Sequence, residues 1–200
     1  MMNNPLLSLK LRIKHLIYIV PNMASFLFYG IPILRALNIR GPVRLRGAGT
    51  IKIGPGFRGN SGQDFNPIGG DDGINLVAGN GALILIGQNV GVSNSTFVAR
   101  KKIEIGNNVL IGGSVSVYDT DFHSTNFQHR RKKTLDQKMT KSQEVYIHDD
   151  VFIGAHSLIL KGVEIGKGSV VGAGSVVTKN VPSYEIWAGN PAKKIGDITD

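Results

Sequence analysis

The residue types best suited to chemistry lie together in the segment YDTDFHS, near the middle of the chain. There His123 follows Asp119 and Asp121 at intervals of two residues. A neutral imidazole can act as a general base at cellular pH, because its ordinary pKa is about 6.5. Either aspartate could accept a hydrogen bond from the second ring nitrogen and so set the tautomer of the ring. The segment is therefore a candidate site for removing a proton from an attacking nucleophile.

The elements that must position this segment follow a six-residue period. Aliphatic residues recur at this spacing over the second half of the chain, at Ile147, Ile153, Ile159, Ile165, Val171 and Val177. A small or β-branched residue stands four positions after each of them. The period matches neither an α-helix nor a plain strand, and it indicates a short strand followed by a sharp corner. Three such sides close a coil of about 18 residues, and stacked coils form a solenoid with a continuous core.

This interpretation predicts which core residues lie on top of each other. Ile147 should stack on Ile165, and Ile153 on Val171. An earlier block of the same period predicts inward positions at Ile86, Val92 and Val98 and, after one extra residue, at Ile105, Ile111 and Val117. Many of the 26 glycines should serve the corners, where the backbone needs a positive φ.

The repeat is interrupted once, by the 29 residues of segment 118–146. Long excursions from a compact scaffold are commonly functional, and solenoids often build their binding surface from them. His123 lies near the start of this inserted loop.

Three segments together resemble a known family. They are GVSNSTFVARKKIEIGNNVLIGGSVSVYDTDFHS, DDVFIGAHSLILKGVEIGKGSVVGAGSVVTKNVP and IWAGNPAKKIG. In this order they resemble the hexapeptide-repeat acyltransferases, and within them the polysaccharide and sugar O-acetyltransferases related to maltose and galactoside acetyltransferases. The resemblance covers roughly residues 40–196.

The resemblance implies an all-β solenoid, a left-handed parallel β-helix of hexapeptide repeats. We expect an N-terminal basic and apolar helical segment over 1–40 and the β-helix over 41–183, with its inserted loop at 118–146. A C-terminal tail over 184–200 is expected to close the coenzyme A site.

The implied function is acetyl-CoA-dependent O-acetylation of a sugar hydroxyl on a surface polysaccharide or its precursor. His123 would be the general base, with Asp121 preferred over Asp119 as its partner. Backbone N–H groups near Gly112 and Gly113 would stabilise the oxyanion. Because the chain has no cysteine, direct transfer in a ternary complex is expected in place of a cysteine acyl-enzyme. No metal is expected to be required.

The same resemblance implies contacts to both substrates and a mode of assembly. The donor would be bound by Ala155, Ala173, Thr178, Lys179 and Lys193, and the acceptor by Asn94 and Ser95. The chain departs from the family at Phe152, where tryptophan is frequent. A cyclic homotrimer is expected, with each donor site lying between neighbouring chains.

The formal net charge of +9 belongs to the first 63 residues. The first acidic residue is Asp64, and it is preceded by Lys10, Arg12, Lys14, Arg35, Arg40, Arg44, Arg46, Lys52 and Arg58. The apolar run from Leu16 to Leu34 is broken by Pro21 and Pro32, which disfavours a membrane span. We expect a helical cap that buries its apolar face on the main domain. Peripheral contact of residues 1–40 with an anionic membrane is the alternative, on the inner face of the membrane of a cytoplasmic protein.

Other functions remain as alternatives. An N-acetyltransferase of a nucleotide-linked amino sugar would need the same base. The zinc carbonic anhydrase that shares the fold needs three converging histidines, two of them five positions apart, and no histidine pair here has that spacing. A non-catalytic scaffold is a third class, whereas no motif supports nucleic-acid binding.

Overall fold

A computed structural model describes residues 5–68 and 73–199. Its helices are α1 (Pro5–Phe28), a 3-10 helix (Ile33–Asn38), α2 (Phe127–Arg130) and α3 (Lys133–Met139). The strands of the first four turns are β1 (Ile39–Arg40), β2 (Val43–Arg46), β3 (Thr50–Ile53), β4 (Arg58–Asn60), β5 (Ile74–Ala78), β6 (Leu83–Ile86), β7 (Gly91–Ser93), β8 (Thr96–Ala99), β9 (Lys102–Ile105), β10 (Leu110–Ile111), β11 (Ser116–Tyr118) and β12 (Val145–Ile147). The remaining strands are β13 (Phe152–Ile153), β14 (Leu158–Ile159), β15 (Glu164–Ile165), β16 (Val170–Val171), β17 (Val176–Val177), β18 (Glu185–Gly189) and β19 (Ala192–Asp197).

These strands form three sheets, named A, B and C in the order in which the chain enters them. The strand orders are β1-β4-β7-β10-β13-β16-β18-β19 in sheet A, β2-β5-β8-β11-β14-β17 in sheet B and β3-β6-β9-β12-β15 in sheet C. From β1 to β17 the chain passes repeatedly through A, B and C, and each strand pairs in parallel with the strand one turn earlier. The predicted three-sided stacking of short strands is confirmed.

The predicted stacking in the second half of the chain is confirmed as well. Ile147 pairs with Ile165, and Ile153 pairs with Val171. All six aliphatic residues of this block and the six small or β-branched residues that follow them are buried. The core is therefore a column of inward side chains contributed by every turn.

One inward position was predicted wrongly. In β8 the buried residues are Phe97, which pairs with Val117, and Ala99, whereas Val98 points outward. The chain turns one residue early at Asn94, which adopts a φ of +37°. Because side chains alternate along a strand, this single-residue shift moves Val98 to the other face.

The N-terminal segment is helical, as predicted, but most of its apolar face is not buried. Helix α1 continues through Pro21, and it is fastened near its C-terminus by Asn22, which donates to Gly41 O (2.9 Å) and accepts from Val43 N–H (3.0 Å). Phe26 is fully buried there. Large apolar side chains face solvent at Leu9, Ile13, Leu16, Ile17, Val20, Leu27 and Phe28, and each is more than half exposed. The cap expectation therefore holds only for the part of the helix near Asn22 and Phe26.

Candidate active site

The inserted loop is a folded element that projects from one corner of the coil. It leaves sheet B after β11, contains α2 and α3, and returns to sheet C at β12. An antiparallel bridge between Thr120 and Ser142 closes its base, where Ser142 Oγ donates to Thr120 Oγ1 (3.0 Å). The N–H of Gln143 also donates to the carbonyl of Asp119 (2.8 Å). These contacts hold the two ends of the loop together.

Within the loop, His123 is paired with a carboxylate from α3. The distance from His123 Nδ1 to Asp136 Oδ2 is 2.6 Å. The other oxygen, Asp136 Oδ1, accepts the backbone N–H of Ser124 (2.7 Å). Since a carboxylate accepts hydrogen bonds, this contact assigns the proton to Nδ1 and leaves Nε2 unprotonated in the neutral ring.

The environment of the pair suits proton transfer to and from solvent-accessible substrates. The His123 side chain is 69% exposed, whereas that of Asp136 is 11% exposed. No described residue hydrogen-bonds to Nε2 of His123, so this nitrogen is accessible. The hydrogen bonds from His123 and from the Ser124 N–H lower the pKa of Asp136, so its carboxylate is charged at neutral pH. His123 is thus an exposed base that is oriented by the largely buried carboxylate of Asp136.

The prediction that Asp121 orients His123 is wrong, because its carboxylate is engaged elsewhere. The carboxylate of Asp121 forms an ion pair with Lys161 Nζ at 2.7 Å. Its backbone N–H donates to Lys141 O (3.0 Å), which further fastens the base of the loop. Asp121 therefore holds the loop to the next turn of the coil.

Asp119 has a different structural role. Its buried carboxylate accepts three backbone N–H groups, from Arg100 (2.7 Å), Lys101 (2.6 Å) and Lys102 (2.8 Å). Burial raises the pKa of Asp119, and the three donors oppose this shift. The carboxylate thus caps the corner between β8 and β9 and does not reach His123.

Sequence reasoning missed Asp136 because it lies thirteen positions after His123 and joins it only when the loop folds. One signal was available. Asp136 is the only acidic residue between 122 and 143, in a segment that carries RRKK. A lone carboxylate among cations and close to a histidine is a candidate partner for that histidine.

The residue before His123 has an unusual backbone conformation. Phe122 adopts a φ of +62°, which is uncommon for a non-glycine residue. Its ring packs edge-on against Tyr118 with a centroid distance of 5.1 Å. Left-handed residues of this kind concentrate at functional sites, where surrounding contacts hold them in place.

A second histidine supports the same turn. Ser124 Oγ lies 3.0 Å from His129 Nδ1, and Arg130 Nη1 donates to Ser124 O (2.6 Å). Ser124, whose N–H donates to Asp136, is thus also held by His129 and Arg130. This network fixes the Ser124 N–H in the direction of the carboxylate.

The predicted acceptor residues are not available to an acceptor. Asn94 and Ser95 are 1% and 0% exposed, respectively. The amide of Asn94 donates to Asn66 O (3.1 Å) and Ile68 O (3.0 Å), and Ser95 Oγ contacts Gly112 O (2.8 Å). Both side chains are committed to the backbone of neighbouring segments, so the prediction of direct acceptor contact is wrong.

The corner between sheets A and B carries a column of small residues. A Cβ atom added to Gly112 would lie 2.6 Å from Ala155 N, and one added to Gly154 would lie 2.5 Å from Ala173 N. Successive turns therefore approach too closely for larger residues at the glycine positions. The N–H of Gly112 donates to Ile153 O (2.8 Å), so it cannot serve as the predicted oxyanion donor in this structure.

The other predicted donor residues lie on exposed parts of the last turns. Thr178 and Lys179 follow β17 at the corner between sheets B and C, and both are exposed. Lys193 is exposed in β19 and pairs with Ala188 across the terminal hairpin. The structure leaves the side chains of these three residues free to meet a ligand.

Within one chain, the small-residue column and the inserted loop lie at opposite ends of the strands of sheet B. Ala155 precedes β14, whereas the loop follows β11, and these two strands pair in register. The base of the loop is fixed at the far corner by the ion pair between Asp121 and Lys161. The structure of one chain thus does not bring all predicted site residues into a single cleft.

No group of three or more His, Asp or Glu side chains in ranges 5–68 and 73–199 has the geometry of a metal site. No helix in these same ranges is sufficiently long and apolar to cross a membrane.

Comparison with known families identifies the class of the repeat. Residues 144–179 match the family described as bacterial transferase hexapeptide (six repeats). The predicted resemblance to the hexapeptide-repeat transferases is therefore confirmed over these residues.

Two curated relatives share part of this region. The 2,3,4,5-tetrahydropyridine-2,6-dicarboxylate N-acetyltransferase of Ligilactobacillus salivarius is 57% identical over 58 residues, 29% of this chain and 25% of that protein. The galactoside O-acetyltransferase of Escherichia coli is 37% identical over 121 residues, 60% of this chain and 57% of that protein. The chain thus spans from a quarter to just over half the length of these relatives.

Two solved structures share the architecture more completely. The polySia specific acetyltransferase NeuO is 25% identical, with a TM-score of 0.60 over 80% of this chain and 72% of that chain. A hexapeptide-repeat acetyltransferase of Vibrio cholerae, solved with acetyl coenzyme A, is 25% identical, with a TM-score of 0.51 over 84% of this chain and 75% of that chain. The known relatives of this coil include acetyltransferases.

Proposed function

We propose that this protein is an acetyl-CoA-dependent O-acetyltransferase that modifies a sugar hydroxyl of a surface polysaccharide or its precursor. The observation that carries the proposal is the His123–Asp136 pair, whose exposed Nε2 lies on a rigid loop inserted into a hexapeptide coil. The similarity to a galactoside O-acetyltransferase and to a polySia specific acetyltransferase supports the choice of a sugar acceptor. In this proposal the coil is a left-handed parallel β-helix, as in the family that the sequence resembles.

His123 acts as the general base. Nε2 accepts the proton of the acceptor hydroxyl while the hydroxyl oxygen forms a bond to the acetyl carbon and the carbon–sulfur bond breaks. The resulting imidazolium is stabilised by Asp136, and its proton then passes to the departing thiolate of coenzyme A. Asp136 is a positioning residue, because it contacts the base and not the reacting atoms.

The donor lies along the corner between sheets A and B. Ala155 and Ala173 carry minimal side chains on a column whose turns stack closely, so an extended pantetheine arm can approach the backbone. Thr178 and the ammonium groups of Lys179 and Lys193 bind the more distant part of coenzyme A, where its phosphates carry negative charge. Neither lysine is engaged by another described residue.

A cyclic homotrimer completes the site. The inserted loop and the small-residue column lie at opposite ends of the strands of sheet B in one chain, and this separation favours a cleft formed by two neighbouring chains. His123 of one chain then faces the donor that lies along the column of the next.

The exposed apolar stripe of α1 forms a peripheral contact with the inner face of the cytoplasmic membrane. Leu16, Ile17 and Val20 lie on one face of the helix and are each more than 60% exposed. No acidic residue precedes Asp64, so the same region is cationic and suited to anionic lipid headgroups.

Acylation of an amino sugar linked to a nucleotide is the second candidate function. The similarity to an N-acetyltransferase over residues of the coil favours it, and His123 would deprotonate an ammonium nucleophile in the same position.

Release of free thiol from acetyl-CoA in the presence of sugars and nucleotide-linked amino sugars tests both candidates. We expect acceptor-dependent release by the native chain and a loss of at least about a hundredfold in His123→Ala, the usual scale of general-base catalysis. His148→Ala is the matched control, since His148 is an exposed histidine that pairs with Glu164 on the outside of the coil. Equal loss in both variants, or none in either, contradicts the assignment of the base.

A further inference from the structure

A groove lies between the N-terminal helical segment and the outer face of sheet A. Its volume is about 940 Å³. Helix α1 supplies one wall, with Arg12 and His15, and the 3-10 helix adds Leu37 and Asn38. The floor is the outward face of strands β1, β4, β7, β10 and β13, and we call this feature the arginine groove.

The register of sheet A arranges the floor in two parallel rows. Arg58, Gly91, Leu110 and Phe152 occupy successive pairing positions and form the first row. Arg40, Asn60 and Ser93 form the second row in the same way. Five strands with a spacing of about 4.8 Å make the floor about 19 Å long. The groove therefore changes along its length from cationic at the first turns to apolar at β10 and β13.

Among the residues that the structure describes, the cationic end of the groove has no counter-charge. The guanidinium groups of Arg12, Arg40 and Arg58 make no hydrogen bond or ion pair with any other described residue. No aspartate or glutamate within residues 5–68 and 73–199 lines the groove. Asp64 is paired with Lys14 (2.5 Å) outside this lining. Arginine binds carboxylates and phosphates in a planar, bidentate manner, so these three groups are suited to anions fixed along a chain.

The rest of the groove suits the uncharged faces of a ligand. Phe65, Leu110 and Phe152 present apolar surface, and Asn38, Asn60 and Ser93 present hydrogen-bonding groups. Apolar and aromatic walls with a few polar groups are typical of small-molecule and saccharide sites. Gly91 leaves the centre of the first row without a side chain, which keeps the floor open.

The groove ends beside the proposed donor. Gly112 lines its end, and a Cβ atom on Gly112 would contact the backbone of Ala155. A ligand that lies along both rows would thus extend from the arginines to the corner where the acetyl donor is proposed to bind.

We propose that the arginine groove binds an acidic saccharide chain, one whose sugar residues bear carboxylates or phosphates, and guides it to the acetyl-transfer site. This inference rests on the proposed function, since it names the acceptor class of that site. It assigns three of the nine cations that precede Asp64 to substrate binding.

The test is equilibrium binding of end-labelled oligosaccharides to the full-length chain without acetyl-CoA, followed by fluorescence anisotropy. Oligogalacturonate carries carboxylates, a glycerol-phosphate oligomer carries phosphates, and maltooligosaccharide of equal length is neutral. We expect saturable binding of at least one acidic oligomer, weakened by salt, and at least about tenfold weaker binding of the neutral one.

Three variants locate the site. Arg40→Glu combined with Arg58→Glu should weaken binding of the acidic oligomer at least about tenfold. Arg46→Glu combined with Lys52→Glu is the control with the same change in net charge, because both residues are exposed on the outer faces of sheets B and C. Gly91→Leu tests the shape without changing the charge. Its Cβ would meet only the Leu110 side chain at 3.0 Å, and its φ is not left-handed, so the variant should fold and block the floor.

Equal weakening by the control pair and by the Arg40→Glu and Arg58→Glu pair, or unchanged binding in Gly91→Leu, overturns the proposal in favour of diffuse surface charge. Absence of saturable binding to both acidic oligomers also overturns it. Binding should be unchanged in His148→Ala, because His148 lies outside the groove. If acidic oligomers bind but no thiol is released, the groove stands and the enzyme assignment fails. If neutral sugars alone are acetylated and bound, the groove assignment fails and the enzyme stands.

Discussion

Replacement of Asp136 by asparagine should remove the base without disturbing the loop. Asp136 Oδ1 accepts the N–H of Ser124, so in Asp136→Asn the amide oxygen must keep that position. The amide NH2 group then faces His123 Nδ1, which in the native protein donates to Oδ2 at 2.6 Å. Two donors cannot share that contact, so Nδ1 must accept and the ring proton must move to Nε2. The nitrogen that faces the substrate would then be unable to take a proton.

The expected loss of activity follows from the effect of the Asp136 carboxylate on the His123 ring. Loss of an outer partner that only orients a histidine costs about 10 to 100-fold in activity, by analogy with second-shell residues at metal sites. An aspartate-to-asparagine change that imposes the wrong tautomer costs about 10⁴-fold in the serine-protease triad, a different protein. Because the contact of Asp136 with His123 is short and largely covered, we expect a loss of about 10³-fold in kcat/KM. This corresponds to about 4 kcal/mol of transition-state free energy.

The assay is initial-rate thiol release from acetyl-CoA with a saturating sugar acceptor, with folding checked by circular dichroism and urea unfolding. Asp121→Asn is the matched control, since it removes an equal charge from the same loop but breaks only the ion pair with Lys161. We expect it to retain activity within about threefold, because a partly exposed ion pair contributes about 0–1 kcal/mol. A folded Asp136→Asn protein with nearly native kcat/KM, or a larger loss in Asp121→Asn, would refute the reasoning.

Four further predictions concern the pH dependence of stability, the proposed donor site, the assembly of chains and the exposed face of α1. The native-state pKa of Asp136 is lowered, so the contribution of its carboxylate to the free energy of unfolding is complete at neutral pH and is lost as the pH falls below the ordinary pKa of about 3.9. The urea midpoints of the native chain and of Asp136→Asn should therefore differ at pH 7 and converge at low pH. A difference that stays constant with pH would contradict this. Ala173→Trp should raise KM for acetyl-CoA at least about tenfold with little change for the acceptor, because the indole would fill the proposed donor corner; bisubstrate kinetics distinguish the two. Mixing His123→Ala and Ala173→Trp chains by unfolding and reassembly should give more activity than either variant alone, at an acetyl-CoA concentration well below the raised KM, if the site lies between chains. Sites confined to one chain would show no such gain. Ile17→Asp combined with Val20→Asp should abolish flotation with anionic vesicles. Lys52→Glu changes the net charge by the same amount and should retain most of the flotation. Equal flotation of both variants would exclude α1 as the membrane contact.

The coil could be predicted from the sequence because its structure is local and repeated. Every turn packs only on its neighbours, so each inward isoleucine or valine is subject to the same constraint as the one six residues away. That is why the stacking of Ile147 on Ile165 was predicted correctly and why the loss of period marked the inserted loop. The misassigned Val98 shows the limit: a shortened corner at Asn94 shifts the strand by one residue, and only neighbouring turns reveal the shift.

The candidate base could be located from its motif, but its partner could not. Asp119 and Asp121 are near His123 in sequence, yet each is engaged elsewhere, one by three backbone N–H groups and the other by Lys161. The choice of Asp136 depends on how α3 folds back over the loop, which is a contact between segments without a repeat to guide it.

By itself, the sequence determined the repeating coil, the position of the inserted loop and the cationic character of the first 63 residues, since all three depend on local pattern or composition. Only the tertiary structure decided which carboxylate orients His123, that Asn94 and Ser95 face inward, and that the apolar face of α1 is left open. It also decided that Arg12, Arg40 and Arg58 converge on one groove. The physical reason is the same in each case: these features are contacts between segments distant in sequence, and their geometry depends on the packing of the whole chain.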